Sequence, residues 1–301
     1  MEAFASIVIP VFNRKEELKR SIISCLKQTY QKIEILVVDD HSDENLNDII
    51  TQFGDSRIKY YRLSEKGNAN VARNKGIELS TGEFIFFLDS DDEYLSNHIE
   101  RYINHFKITP EVDGLFSAIK IKTGQSERVS QPKKRKNNQS LINYILEGNI
   151  VSTPTLAIRK HCFALVKFDP SLARHQEWDF TQRFTEHYDL QMLKGLSVIV
   201  NWPEKNTRVV NLEATKRFMS KHRAKISGLN YIKYNRNMYL SAVRGNKEPH
   251  VKQYFLMEAL SKFQLITRAE YFTIHTVGQS VLKKVFYALR YYLFKMQLIK
   301  N

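Results

Sequence analysis

Along the first 90 residues one phrase recurs: a short apolar run, a cluster of charge, then a segment with apolar residues at every third or fourth position. Residues 6–12 read as a strand buried on both faces, because the run is apolar without alternation. Residues 16–28 follow with helical spacing at Leu18, Ile22, Cys25 and Leu26. The phrase repeats as a strand over 33–38, the cluster Asp39-Asp40-His41-Ser42 and a short helix over 44–53. A third strand over 58–63, a third helix over 68–79 and a fourth strand over 84–88 come next. That fourth strand ends abruptly in Asp89-Ser90-Asp91-Asp92, ahead of a helix expected from about Tyr94. Alternating β and α elements with short connections predict an α/β fold, a doubly wound and mostly parallel sheet.

The second half is less regular. Residues 113–122 alternate like a strand, 124–139 read as a loop and 140–147 as a helix, and 149–158 as a loop entering a strand. A helix opens near Glu177, and 197–200 is expected to be the closing strand. From about Ala214 the spacing turns helical, over 215–244 and 247–266, broken at Gly245-Asn246. The expected division is therefore an α/β domain over 1–212 and a C-terminal helical extension over 213–301.

Ligands of parallel sheets bind beyond the carboxyl ends of the strands, where Asp39, Asp40, Asp89 and Asp91 would emerge along one rim. Hard oxygen donors there suit Mg2+ or Mn2+, which binds one or two carboxylates together with phosphate oxygens. The competing reading makes these aspartates turn and helix-cap residues. Their convergence favours the ligand site, since like charges at close range repel unless a cation or hydrogen-bond donors are shared. Arg73, on the helix between them, can oppose phosphate charge from the same mouth. No glycine-rich dinucleotide turn and no Walker loop follows the first strand, where Asn13-Arg14-Lys15 stands instead.

Composition narrows the partners. The 301 residues are 43% hydrophobic and carry a formal charge of +14, which calls for an anionic partner: nucleic acid, an acidic membrane surface or a phosphorylated substrate. Cys25 and Cys162 lie far apart without metal-ligand spacing, so neither a disulfide framework nor a zinc site is expected and a reducing compartment fits. The first five residues do not look like a signal peptide, and no run of 18 apolar residues is present to span a membrane.

Four blocks in order, Ile-Val-Ile-Pro-Val-Phe-Asn-Arg (7–14), Val-Val-Asp-Asp-His-Ser (37–42), Asn-Val-Ala-Arg-Asn-Lys-Gly (70–76) and Phe-Leu-Asp-Ser-Asp-Asp (87–92), resemble the family 2 glycosyltransferases with the GT-A fold. The resemblance covers about the first 210 residues. It implies inverting transfer from a nucleoside diphosphate sugar, with a UDP-sugar the expected donor. Pro10, Phe12, Asn13 and Asp39 would then line the nucleoside pocket together with Asp40, and Arg73 would lie close to the donor. The Asp89-Ser90-Asp91 motif would hold Mn2+ or Mg2+ through Asp89 and Asp91, with Asp91 the direct ligand. Residues 168–180 (Phe-Asp-Pro-Ser-Leu-Ala-Arg-His-Gln-Glu-Trp-Asp-Phe) resemble the family's acidic catalytic segment. Inversion needs a base for the acceptor hydroxyl, which a positioned carboxylate can supply. Glu177 is the candidate and Asp179 the competing choice; family members often carry Asp where Glu177 stands.

The implied acceptor is a polysaccharide or lipid-linked glycan, handled in the cytoplasm at the inner face of a bacterial membrane. Residues 281–299 place Leu282, Val285, Phe286, Leu289, Leu293 and Met296 on one helical face, with Lys283, Lys284, Arg290 and Lys295 mostly on the other. Such a helix fits an anionic membrane surface or packs against protein. The run Lys133-Lys134-Arg135-Lys136 fits acceptor phosphates, lipid headgroups or a solvated loop. Two other classes compete. A sugar-nucleotide nucleotidyltransferase would carry a glycine-rich phosphate loop near its N-terminus, and a nucleic-acid-binding protein would not place an acidic rim against phosphate. Nucleic acid is accordingly not an expected partner, and the oligomeric state is open.

Overall fold

Alternation within each inner strand divides its side chains between two cores. Ile7, Ile9 and Val11 pack with Ile35, Val37, Phe84 and Phe86 on one face of the sheet, whereas Val8, Leu36, Ile85 and Phe87 belong to the other. The computed structural model describes residues 3–203, 210–245 and 247–261.

In chain order the strands are β1 (Ala5–Val11), β2 (Ile33–Asp39), β3 (Ile58–Arg62), β4 (Phe84–Phe87), β5 (Glu93–Tyr94), β6 (Gly114–Thr123), β7 (Ser126–Ser130), β8 (Ala157–Arg159) and β9 (Leu190–Trp202). Among the described residues they form one sheet of order β3-β2-β1-β4-β8-β6-β9-β5, with β7 paired to β6. Strands β3, β2, β1 and β4 run parallel, β8 is antiparallel to both β4 and β6, and β9 is parallel to β6. Helices α1 (Lys15–Leu26), α2 (Asn47–Phe53) and α4 (His98–Ile108) cover the first face through Leu18, Ile22, Ile49, Ile99 and Phe106. On the second face lie α3 (Ala69–Leu79), α5 (Leu141–Leu146) and α6 (Gln176–Phe184), contributing Ile77, Tyr144, Ile145, Phe180 and Phe184. A doubly wound, mostly parallel sheet is thus what the chain forms.

Helix α3 reaches β1 because it carries glycine at the crossing. A Cβ on Gly76 would sit 2.3 Å from Val8 Cγ1, so the helix cannot keep this approach with any side chain there. Gly76→Ala is expected to destabilise the domain by about 1–3 kcal/mol through overpacking. Urea denaturation checks this, and an unchanged midpoint would mean that α3 is free to retreat.

Several expected elements are corrected. The helix anticipated from about Tyr94 begins at His98 instead, because Glu93 and Tyr94 pair with Ile199 and Val198 as β5 and the Tyr94 hydroxyl donates to the Phe87 carbonyl. The loop expected over 124–139 opens with β7, a polar strand returning along β6. The closing strand is 13 residues long, starting at Leu190, and passes Gly195 at a positive φ of 94°. A single helix over 215–244 is not formed: α7 (Leu212–His222) ends in a 3-10 turn at Arg223–Lys225, and α8 (Gly228–Arg244) restarts with Ser227 as its cap, accepting from the Asn230 amide.

The chain divides into two compact units, Met1–Ile226 and Ser227–Asn301, so that α7 belongs to the first. In the second, α8 packs on α9 (Pro249–Ser261), and Tyr231 bonds to Glu258. No helix among the described residues is long and apolar enough to cross a membrane. The basic amphipathic segment expected over 281–299 lies outside the described residues.

Candidate active site

The carboxyl ends of β1, β2 and β4 open together into a cleft of about 450 Å3, lined by Pro10, Val11 and Phe12 from the first strand end, Asp40 from the second, Ala69 and Arg73 from α3, and Asp89, Ser90 and Asp91 beyond β4, with Arg14 at its lip. Seven of the residues expected at the site therefore share one mouth: Pro10, Phe12, Asp40, Arg73, Asp89, Ser90 and Asp91.

Two others support the cleft from behind. Asp39 is wholly buried; its Oδ1 accepts from the Ser42 amide at 2.9 Å and hydroxyl at 2.6 Å, and its Oδ2 from the Tyr60 hydroxyl at 2.7 Å. Its place as the last residue of a pleated strand turns it inward, so Asp40 and not Asp39 faces the mouth. Asn13, held at a φ of 52°, ties the first loop to the second: its amide donates to Ser42 Oγ, and its side chain exchanges two hydrogen bonds with Asp43. Asp40 in turn accepts from the Gly67 amide at 2.8 Å, which fixes the entry to α3. Burial pushes the Asp40 carboxyl above its ordinary range, against the Gly67 amide and the Lys66 charge. That Lys66 ammonium lies 3.6 Å from the centre of the Phe12 ring.

Arg73 joins three segments. It is buried on α3, and donates from Nη2 to Asp89 Oδ1 at 2.6 Å and from Nη1 to Gln176 Oε1 at 2.9 Å. The rest of its block holds the acidic segment in place: the Asn70 amide side chain donates to the carbonyls of Asp169 and Leu172, and Asn74 exchanges two hydrogen bonds with the Phe168 backbone. The block at 70–76 and the segment at 168–180 thus act as one unit, which brings the start of α6 to the cleft wall through Gln176.

The loop after β4 is fixed by its backbone. Ser21 Oγ donates to the carbonyls of Ser90 and Asp92, and Arg20 and Asn201 both donate to the Asp91 carbonyl at 2.8 Å. Asp92 points inward and accepts from the Asn201 amide at 2.9 Å. Burial first, then the Asp89 charge, push the carboxyls of Asp91 and Asp92 above the ordinary range. Arg14 pairs with Asp91, as Arg73 does with Asp89, so two cations already balance the two rim carboxylates. Asp89 engages one oxygen in this way, and its other has no hydrogen-bond partner among the described residues. Oxygen donors alone, crowded enough to raise their own affinity for a cation, fit Mg2+ or Mn2+.

Of the two candidate bases, Asp179 is buried and fully engaged. Its Oδ2 accepts from Arg183 Nε at 2.9 Å and Nη2 at 2.6 Å, and its Oδ1 lies 2.9 Å from His222 Nε2 on α7. Burial raises its carboxyl, yet the hydrogen bonds from His222 and Arg183 together outweigh it and hold the group below the ordinary range. A carboxylate depressed in the folded state stabilises the fold above its unfolded pKa, and that contribution is lost as pH falls through the folded value. Asp179→Ala is accordingly expected to cost about 3–5 kcal/mol at neutral pH, with the difference from wild type shrinking in acid. Equilibrium unfolding at neutral and acid pH measures both. Glu177, two residues earlier, is half-buried and follows directly on Gln176.

The sequence reading did not single out Arg14 and Gln176 for the site. Arg14 stands in the first block and Gln176 in the acidic segment, each without an expected role, and that of Gln176 depends on a bond to a residue 103 positions away.

Residues 6–171 match glycosyl transferase family 2, more than half of the chain. An uncharacterized glycosyltransferase of Haemophilus influenzae is 30% identical over 184 residues, 58% of this chain and 69% of that protein. The Escherichia coli UDP-Glc:alpha-D-GlcNAc-diphosphoundecaprenol beta-1,3-glucosyltransferase WfgD is 41% identical over 99 residues, which are 33% of this chain and 39% of the relative. Among solved structures, S. aureus TarS 1-349 in complex with UDP-GlcNAc superposes with a TM-score of 0.56 at 18% identity, covering 90% of this chain and 75% of TarS 1-349. At that identity the likeness is one of fold.

Proposed function

Because this chain belongs to glycosyl transferase family 2, we propose that its rim cleft binds a nucleoside diphosphate sugar, a UDP-sugar first among donors, and that the sugar passes with inversion to a hydroxyl of a polysaccharide or lipid-linked glycan. One observation carries this reading: Pro10, Phe12 and Asp40 on one side of the cleft and Arg73, Asp89 and Asp91 on the other pair an apolar, hydrogen-bonding half with a charged half. The first half suits a nucleoside and the second a diphosphate. The E. coli relative's name supports both a UDP-sugar donor and a diphosphoundecaprenol-linked acceptor. An acceptor of that kind places the work at the inner face of the cytoplasmic membrane.

Asp89 and Asp91 would hold the divalent metal, whose contribution when bound is to neutralise charge on the leaving diphosphate. The remaining steps belong to the chain's own residues. Arg73, kept rigid by Gln176 and Asp89, presents positive charge to the donor, and Arg14 exchanges its pairing with Asp91 for the diphosphate. Glu177 accepts the proton of the acceptor hydroxyl as that oxygen bonds to the anomeric carbon and the bond to the diphosphate breaks on the opposite face. The proton then leaves Glu177 for solvent. Asp179 positions this helix turn through Arg183 and His222.

The test is nucleotide release by the full chain from UDP-, GDP-, CMP- and dTDP-sugars, each with Mn2+, with Mg2+ and with EDTA. Metal-dependent release from a UDP-sugar is expected. Release confined to another nucleotide would move the donor assignment, and equal release in EDTA would remove the metal from the mechanism.

A further inference from the structure

At the end of the sheet away from the cleft, three side chains of different chemistry converge on one point. His161 Nε2 lies 3.4 Å from Asp113 Oδ1 and 3.5 Å from Cys162 Sγ, and the three donor atoms all fall within 4.8 Å of one another. Asp113 leads into β6, while His161 and Cys162 sit in the 3-10 turn Lys160–Ala164 that follows β8. Arg159 of β8 pairs with Phe84 at the start of β4, five residues before Asp89. At about 3.3 Å per residue the cluster therefore lies roughly 16 Å from the rim carboxylates along the strand direction.

We propose that Asp113, His161 and Cys162 form a second metal site, distinct from the rim carboxylates and selective for a borderline-soft cation such as Zn2+. Donor spacing is the first support. With bonds of about 2.3 Å to sulfur, 2.0 Å to nitrogen and 2.1 Å to oxygen, tetrahedral zinc sets neighbouring donors about 3.4–3.6 Å apart; the two separations from His161 match, and the third, from Asp113 to Cys162, falls within 4.8 Å. Ligand type is the second. A thiolate and an imidazole select zinc over Mg2+ or Mn2+, so this site and the rim need not compete for one ion. Orientation is the third: Asp113 Oδ2 accepts from the Asp189 amide at 3.0 Å, which leaves Oδ1 directed at His161. Access is the fourth, since the His161 side chain is 62% exposed while Cys162 is buried beneath it. Binding exchanges the thiol proton for the metal and releases that proton to solvent. Three protein ligands leave a fourth position for water. A bound ion would tie the entry of β6 to the turn after β8, acting as a staple at that edge of the fold.

The alternative is an ordinary His161–Asp113 ion pair beside a buried thiol, and zinc binding separates the two. The untagged full chain is titrated with Zn2+ against a chromophoric chelator, and with Co2+ while its absorption is followed, in wild type and in an Asp91→Asn background that disables the rim. One zinc equivalent is expected in both, with a thiolate-to-cobalt charge-transfer band. His161→Ala, a change at an exposed position that leaves the fold alone, should weaken zinc binding at least tenfold, and Cys162→Ser should abolish the band. Zinc affinity unchanged in His161→Ala, or a wild-type cobalt complex without the thiolate band, overturns the site. Neither outcome touches the proposal for the rim cleft.

Discussion

Replacing Asp91 by asparagine is expected to lower metal-dependent turnover by about 10²–10³-fold while the protein remains folded. The asparagine keeps the shape of the side chain and removes the charge. Folding tolerates this because the loop around Asp91 is held by its backbone, through Arg20 and Asn201 to the Asp91 carbonyl and Ser21 to its neighbours, and not by the carboxylate. The crowding among Asp89, Asp91 and Asp92 is relieved in the variant, which offsets the lost pairing with Arg14. Turnover does not tolerate it, since a neutral amide is a poor ligand for a hard cation. Initial rates over a range of Mn2+ concentrations, alongside a thermal melt, provide the check. Unchanged metal-dependent rates in a folded variant would detach the metal from Asp91.

The second large effect is expected at Glu177. Glu177→Gln should reduce kcat by about 10²–10⁴-fold with donor binding little altered, because the base acts only as the acceptor oxygen attacks. Its counterpart behaves differently. Asp179→Asn should act chiefly on stability, since Asp179 is enclosed by Arg183 and His222 and has no oxygen left for an acceptor. The pair of variants is informative as a pair: kcat should fall in one and unfolding free energy in the other. Near-normal turnover in folded Glu177→Gln, measured with donor binding by calorimetry, would remove the base role from Glu177.

How much of this was legible in the sequence follows from where each signal resides. Strands β1, β2 and β4 are buried on both faces, so their apolar runs are continuous and charge follows within three residues of their ends. The rule that ligands bind beyond strand carboxyl ends then brought Asp40, Asp89 and Asp91 together from residues 49 and more positions apart. Between Asp39 and Asp40 the sequence offered no choice, because adjacent residues at a strand end face opposite ways and only the register of β2 decides which lines the cleft. Strand β5 has two residues and exists only because β9 pairs with it. Strand β7 is polar and exposed, and so reads as loop. The long β9 is masked by Lys194 and Gly195 in its middle. The enclosure of Asp179 by His222, 43 residues later on a helix that the sequence pattern groups with the C-terminal extension but the structure keeps in the first unit, is a tertiary fact with no local trace. The same holds for Asp113 beside His161 and Cys162, whose spacing resembles no metal motif.

The measurement that bears most directly on the rim cleft is a calorimetric titration of UDP into the full chain, first with Mn2+ and then in EDTA. Binding of one equivalent with Mn2+, weakened about tenfold or more in EDTA, is the predicted result. Equal affinity in the two conditions, or no binding to folded protein in either, would contradict a metal-assisted nucleoside diphosphate site at Asp89 and Asp91.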